Sequence, residues 1–77
     1  MDIRIIKKLH GYILKEQTGS PKELANKLGV SERTVYSYIS YMKVEMNAPI
    51  IFDNQKGNYL YERECLLAFK GWNNLIN

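Results

Sequence analysis

Residues 20–35 constrain the fold of this chain most, because they contain two helix starts separated by a single tight turn. Ser20 is a good N-cap, and Glu23 three residues later completes the S-x-x-E pattern of a capping box. Gly29 follows a helix whose apolar face is Leu24, Ala25 and Leu28, and glycine is the residue type that most easily takes the left-handed conformation at a helix end. Ser31 can cap the next helix at once. The stretch therefore predicts a helix-turn-helix, two short helices joined by a glycine turn.

The rest of the chain predicts one helix before this stretch and a β-hairpin after it. Apolar periodicity and helix-breaking residues place the helices at about 3–16, 21–28 and 31–46, and β-favouring runs place the strands at about 50–53 and 58–62. A polar loop that contains a glycine joins the two strands. The expected fold is one mainly α domain over residues 1–77, with three helices, a small β-hairpin and a C-terminal extension at 63–77.

Composition narrows the possible functions. Eleven Lys and Arg against eight Asp and Glu give a net charge of +3, which suits a polyanionic partner without requiring one. One cysteine excludes an internal disulfide, and together with a single histidine it cannot build a zinc site. No apolar run is long enough to span a membrane, and charged residues interrupt the region where a signal peptide would be apolar. We therefore expect a cytoplasmic protein with no cofactor, no membrane association and no evident small-molecule substrate.

An enzyme is the weakest interpretation of the sequence, which shows no Ser/His/Asp set, carboxylate pair or glycine-rich phosphate loop. The single histidine, His10, lies on the apolar side of the first helix, where a packed and hydrogen-bonded role is expected rather than catalysis. On the other side of that helix, Arg4, Lys7, Lys8 and Lys15 form a basic surface. We interpret this surface as a solvated face, with contact to a nucleic-acid backbone as the alternative.

Three helices followed by a hairpin is the order of elements in a winged helix-turn-helix. Two phrases carry this resemblance: S-P-K-E-L-A-N-K-L-G-V-S-E-R-T-V-Y-S-Y-I, which begins at Ser20, and A-P-I-I-F-D-N-Q-K-G-N-Y-L-Y, which begins at Ala48. Over roughly residues 3–62 the chain resembles winged-helix domains of the DeoR and biotin-repressor kind, which are bacterial DNA-binding regulators of transcription. The resemblance implies that the third helix enters the major groove of double-stranded DNA. It also implies that the hairpin, or wing, contacts the minor groove or the backbone.

The outward side of the third helix and the tip of the wing hold the expected DNA contacts. Val35, Ile39 and Met42 recur at helical spacing and take the core side, so the opposite side is left for the partner. Hydroxyl, guanidinium and aromatic groups there can contact phosphates or base edges, and a cation in the loop suits a phosphate or a narrow minor groove. The candidate DNA-binding residues are Ser31, Arg33, Thr34, Tyr36, Ser37, Ser40, Tyr41 and Lys56.

The chain departs from the DeoR-type pattern within the third helix. That pattern usually carries two arginines where this chain has Tyr36 and Ser37, and an aspartate where it has Tyr38. The departure removes the most obvious base-reading pair, so a winged-helix protein-interaction module stays open as an alternative, as does a DNA-binding fragment of a larger regulator. The apolar C-terminal segment around Trp72 is expected either to complete the core or to form a homodimer surface.

Overall fold

The computed structural model describes residues 1–63, which form three helices and a two-stranded antiparallel sheet. The helices are α1 (Ile3–Leu14), α2 (Pro21–Leu28) and α3 (Glu32–Glu45), and the strands are β1 (Ile50–Asp53) and β2 (Asn58–Tyr61). The predicted fold class is confirmed, because the order of elements is that of a winged helix-turn-helix. The predicted C-terminal extension falls, from residue 64 onward, outside the described residues, and so does the expected dimer surface around Trp72.

The helix-turn-helix is built from the local contacts that its sequence predicts. The Ser20 hydroxyl accepts the Glu23 N–H at 3.2 Å and the Glu23 carboxylate accepts the Ser20 N–H at 3.0 Å, so the capping box is complete. The hydrogen bond from the Ser20 backbone is the main cause of a lowered pKa at the Glu23 carboxyl. Gly29 ends α2 with a φ of +70°, and Ser31 caps α3 by accepting the Thr34 N–H. The turn between the two helices is thus fixed within one short stretch.

The first helix, α1, ends two residues earlier than predicted. It stops at Leu14 because Glu16 takes the left-handed conformation, with a φ of +53°. The Glu16 N–H donates to the Ile13 carbonyl at 3.1 Å, and the Gln17 N–H donates to the Tyr12 carbonyl at 3.0 Å, which closes the helix end. Glycine is the usual residue at such a position, so the glutamate gives no signal for the helix end in the sequence.

Two other elements are slightly shorter than predicted. In α3 the expected end residues Ser31 and Met46 are the two caps, so the helix itself runs from Glu32 to Glu45. Strand β2 ends one residue before Glu62, whose N–H donates to the Pro49 carbonyl at 2.7 Å. The differences do not move any predicted contact residue to another element.

One hydrophobic cluster lies between the helices and the hairpin. It takes side chains from all three helices, both strands and the residue that follows α3 by three positions: Ile6, Leu9, Ile13, Leu24, Ala25, Val35, Tyr38, Ile39, Met42, Ala48, Ile50 and Tyr59. Leu9, Leu24 and Met42 are among its largest fully buried members. Because α1 and α3 each turn one face to this cluster, the opposite face of each helix is exposed.

The hairpin, residues 50–61, carries a loop that is closed by hydrogen bonds to Asp53, the last residue of its first strand. Strands β1 and β2 pair antiparallel, with Asp53 opposite Asn58. The Asp53 carboxylate accepts the N–H groups of Gln55 and Lys56 at 2.9 and 3.1 Å. Gly57, with a φ of +69°, donates its N–H to the Asp53 carbonyl at 2.7 Å. We call residues 50–61 the wing.

A buried threonine joins the wing to the loop between α1 and α2. Thr18 is fully buried, and its hydroxyl accepts the Tyr59 N–H at 2.8 Å and donates to the Gly19 carbonyl at 2.9 Å. The Gly19 N–H donates to the Asn58 side-chain carbonyl at 2.8 Å. The bond between Thr18 and Tyr59 and the bond between Gly19 and Asn58 join residues that are 41 and 39 positions apart in the chain. They tie the wing to the loop between α1 and α2.

The expected role of His10 as a packed and hydrogen-bonded residue is confirmed. Its Nδ1 lies 2.6 Å from the hydroxyl oxygen of Tyr61, and the two rings are tilted with centroids 5.5 Å apart. Partial burial lowers the pKa of the His10 imidazole. His10 therefore forms another link between α1 and the second strand of the wing.

Candidate nucleic-acid interface

The exposed side of α3 forms a shallow, open concavity of about 560 Å³. It brings together five of the predicted contact residues and adds two that the sequence did not single out, Val44 and Glu45. We call this surface the α3 face; its lining residues are Arg33, Tyr36, Ser37, Ser40, Tyr41, Val44 and Glu45. The predicted contacts on the outward side of the helix thus lie on one continuous surface.

The orientation of α3 follows from what its other side buries. Val35, Ile39 and Met42 are buried in the core, as the helical spacing predicts. Tyr38 is also buried, and its hydroxyl oxygen accepts the Asp2 N–H at 2.9 Å, which ties α3 to the start of α1. Tyr38 therefore serves a structural contact and does not belong to the outward side of α3.

Charge on the α3 face is nearly balanced. Arg33 is its one cation and Glu45 its one anion. Within residues 1–63, no acidic side chain forms an ion pair with Arg33, so the guanidinium is available to an outside partner. Tyr36 and Tyr41 expose apolar ring surface as well as hydroxyl groups. The face therefore offers hydrogen-bond donors and flat apolar surface more than net positive charge.

Ser31 and Thr34 occupy the N-terminal end of α3 beside this face. The Ser31 hydroxyl accepts the Thr34 N–H at 3.1 Å and donates to the Thr34 hydroxyl oxygen at 3.0 Å. The backbone N–H groups of Glu32 and Arg33 have no acceptor within the helix, as in the first turn of any α-helix. A helix N-terminus with such groups favours an anion, and both predicted residues lie at this end of α3.

Lys56 does not join the α3 face. Its ammonium forms an ion pair with the Glu16 carboxylate, with Nζ and Oε1 3.0 Å apart, and both side chains are largely exposed. The hydrogen bond to Glu16 is the main cause of a raised pKa at Lys56. No local pattern in the sequence predicts this pair, because its two residues are forty positions apart.

Two aromatic side chains of the wing pack against each other. Phe52 and Tyr59 lie edge to face across the hairpin, with ring centroids 5.0 Å apart. Burial raises the pKa of the Tyr59 phenol in strand β2, and an electrostatic interaction with Tyr36 is a smaller cause. Tyr59 belongs to the hydrophobic cluster and so anchors the wing in the core.

The described part of the chain holds no group of three or more His, Cys, Asp or Glu side chains that could bind a metal ion. None of the helices between residues 1 and 63 is both long and apolar enough to cross a membrane.

Together, the capped helix pair, the exposed face of α3 and the adjoining hairpin define a winged helix-turn-helix domain. Residues 4–59 match the sequence model of a family described as HTH domain. Because this match covers well over half of the chain, the protein belongs to the HTH domain family, and this membership supports DNA as its partner. No curated protein and no solved structure matches the chain significantly.

Proposed function

We propose that this protein binds double-stranded DNA in a sequence-dependent way and regulates transcription, with α3 in the major groove and the wing against the flanking duplex. The observation that carries the proposal is the α3 face: within an HTH domain, it gathers Arg33, Tyr36, Ser37, Ser40 and Tyr41 on one exposed surface. A helix fits the width of the major groove of B-form DNA, where side chains of this kind reach base edges.

Each side chain of the face has a distinct chemical role in this proposal. Arg33 donates to a guanine edge or to a phosphate. Ser37 and Ser40 donate to or accept from bases or phosphates through their hydroxyl groups. Tyr36 and Tyr41 donate to phosphates and pack their rings on sugars or thymine methyl groups. The α3 face thus reads DNA with one guanidinium and several neutral groups.

The N-terminal end of α3 and the wing supply the proposed backbone contacts. Ser31 and Thr34 lie beside the unpaired N–H groups of the first turn, which suit a phosphate oxygen. Lys56 reaches DNA only when it exchanges the Glu16 carboxylate for a phosphate. Exposed ion pairs of this kind contribute about 0–1 kcal/mol, so a duplex can compete with Glu16 for the lysine.

The proposal places the protein among regulators of the DeoR and biotin-repressor kind, which are cytoplasmic, with a binding rather than a catalytic role. The missing arginine pair at Tyr36 and Ser37 shifts the expected balance toward hydroxyl and aromatic contacts. Because α3 then neutralises fewer phosphates, its contacts contribute little to the salt dependence of the DNA affinity. A homodimer through the segment around Trp72 would let two copies bind two half-sites.

A protein partner for the α3 face is the second candidate function. Val44 is 74% exposed and Tyr36 is 53% exposed, and both lie on a face whose charges nearly cancel. Exposed aromatic and aliphatic side chains with little charge are typical of protein interfaces. This candidate predicts no affinity of the α3 face for duplex DNA.

Titration of random duplex DNA at low and raised salt tests the proposal. We expect binding at low salt that weakens as salt rises, because phosphate contacts release counterions. Replacing Arg33 and Lys56 together by alanine should weaken binding by about 1–3 kcal/mol if Arg33 contacts a base, and by less if both contact phosphates.

The matched control is Arg4→Ala/Lys22→Ala, which removes two positive charges outside the α3 face and the wing. A loss confined to the Arg33 and Lys56 variant supports the proposed contacts. Equal losses in both double variants would show general electrostatic attraction, and absence of binding at low salt would favour the protein partner.

A further inference from the structure

A second concavity, of about 320 Å³, lies between α1 and α2. Four lysines line it and no acidic side chain of the described residues does. We call this surface the lysine face; its lining residues are Lys7, Lys8, Gly11, Tyr12, Lys15, Gln17 and Lys27. It therefore has a net positive charge of four, whereas the α3 face, with one arginine and one glutamate, is balanced.

The packing of α1 explains why its lysines gather. Ile6, Leu9 and Ile13 are buried and fix one side of the helix against the core, which leaves Lys8 and Lys15 on the opposite side. Gly11 lies between these lysines, and a side chain there would stand in open space with no heavy atom within 4 Å of its Cβ. The glycine thus keeps the middle of the surface open.

Helix α2 contributes Lys27 to this surface, and contacts with α1 and with the loop that follows α1 hold this lysine in place. The Lys27 ammonium donates a hydrogen bond to the Gln17 carbonyl and lies 5.4 Å from the centre of the Tyr12 ring. A cation over an aromatic face is stabilised by the ring quadrupole. One N–H of three is used by the carbonyl, so the same ammonium keeps donors for an outside anion.

The lysine face and the α3 face are separate surfaces. They share no lining residue, and each lies on the side of its helix that points away from the common core. The two concavities therefore offer separate places for a partner. The lysine face, with four lysines and no acidic lining residue, is more positive than the surface proposed to read DNA.

We propose that the lysine face binds the phosphate backbone of a second segment of duplex DNA, so that one copy of the protein joins two segments. This inference rests on the proposed function, because the α3 face must hold the first segment. Lysines act as point charges without the fork geometry that reads base edges, so they suit phosphates. Lys8 and Lys15 are about 10 Å apart along α1, a distance over which a duplex presents several phosphates.

A two-duplex capture experiment tests the proposal. One duplex is attached to beads, and a second, fluorescent duplex is added with the full-length protein. The protein retained on the beads reports binding to the first duplex, and the fluorescence reports bridging. We expect the wild-type protein to be retained and to capture the second duplex, with capture lost as salt rises.

Two charge-matched variants separate the surfaces. Lys8→Gln/Lys15→Gln removes two charges from the lysine face, and Lys22→Gln/Lys43→Gln removes two charges from residues that line neither concavity. We expect the first variant to lower fluorescence per retained protein by at least about fivefold relative to the second. Lys27 is left unchanged because it also contacts Gln17 and Tyr12.

The possible results distinguish this proposal from the one on which it rests. Retention without capture by the wild-type protein overturns the lysine-face proposal and leaves the DNA-binding function intact, whereas loss of retention overturns the function itself. Equal capture by both variants overturns the proposal, because bridging by dimers through two α3 faces would survive the lysine substitutions. Capture of fluorescent polyglutamate in place of the second duplex also overturns it, in favour of an acidic protein partner.

Discussion

Helix α3 and the wing are both proposed to contact DNA, but the molecule holds them in different ways. The start of α3 is set by contacts close in sequence: the Ser31 cap and the Gly29 turn before it. The wing is held by contacts that cross the fold, from Thr18 to Tyr59, and from Glu16 to Lys56. The outer face of α3 is open, whereas the cation at the wing tip already has a partner.

This difference suggests that the two elements contribute unequally to binding. α3 needs no rearrangement to present Arg33, Ser37 and Ser40. The wing must give up the pair between Glu16 and Lys56 before its lysine can contact a phosphate. We therefore expect α3 to supply most of the affinity and specificity, and the wing to supply a smaller, adjustable part.

The largest expected effect comes from placing a negative charge on α3. Ser37→Glu puts a carboxylate in the middle of the α3 face and should weaken duplex binding by about 3 kcal/mol, more than a hundredfold, through repulsion from phosphates. Gln55→Glu makes the same change of charge at the wing tip and should weaken binding much less. Fluorescence anisotropy with one duplex measures both, and a larger loss for the wing variant would reverse the proposed ranking.

The next effect concerns how the wing is attached. Thr18→Val preserves the shape of the side chain but removes the acceptor for the buried Tyr59 N–H, so we expect the free energy of unfolding to fall by about 2 kcal/mol. Thr34→Val, at the partly exposed start of α3, should lower the free energy of unfolding by less. Urea denaturation compares the two variants. If Thr18→Val were as stable as the wild type, the hydrogen bond would not be what anchors the wing.

A smaller effect is expected from releasing the wing lysine. Glu16→Gln removes the partner of Lys56 and should tighten duplex binding by up to about 1 kcal/mol at low salt, the range of an exposed ion pair. A double-mutant cycle with Lys56→Gln separates this release from the general loss of a negative charge. The same gain in both backgrounds would mean that Lys56 takes no part.

The smallest expected effect is a pH dependence of stability at His10, which links α1 to the second strand of the wing. Burial lowers the pKa of His10 below the value of about 6.5 for an unperturbed histidine, so the unfolded chain takes up the proton first. The contribution of His10 to the free energy of unfolding should be constant above pH 7, fall as pH drops below about 6.5, and level off below the lowered pKa of the folded state. Thermal melts of wild type and His10→Gln test this: the variant should lack the fall, and an equal fall in both would assign it to another group.

The sequence predicts the contacts that start α3 better than those that attach the wing, for a physical reason. The contacts of Ser20 with Glu23 and of Ser31 with Thr34 lie within one helical turn, so residue type and spacing suffice to infer them. The outward side of α3 follows from helical periodicity in the same way. Thr18 carries no comparable signal, because its partner is 41 positions away and only the assembled fold brings the two together.

The lysine face is also only partly predictable from the sequence. Periodicity predicts that Arg4, Lys7, Lys8 and Lys15 share the basic side of α1. The three lysines line the lysine face, whereas Arg4 does not line it and forms an ion pair with Asp2. Joining the three lysines to Lys27 requires the packing of α1 against α2, which no spacing rule supplies. The choice between a solvated face and a backbone contact therefore depends on tertiary structure and on the partner.

Amide chemical-shift mapping of the isotope-labelled protein with a single duplex tests most directly whether α3 is the DNA-reading surface. We expect the largest shift changes at residues 31–45, which include the α3 face and its N-terminal cap, and smaller changes in the wing loop at residues 54–57. Changes confined to the lysine face, or no changes on α3 at saturating duplex, would contradict the assignment of α3 as the reading helix.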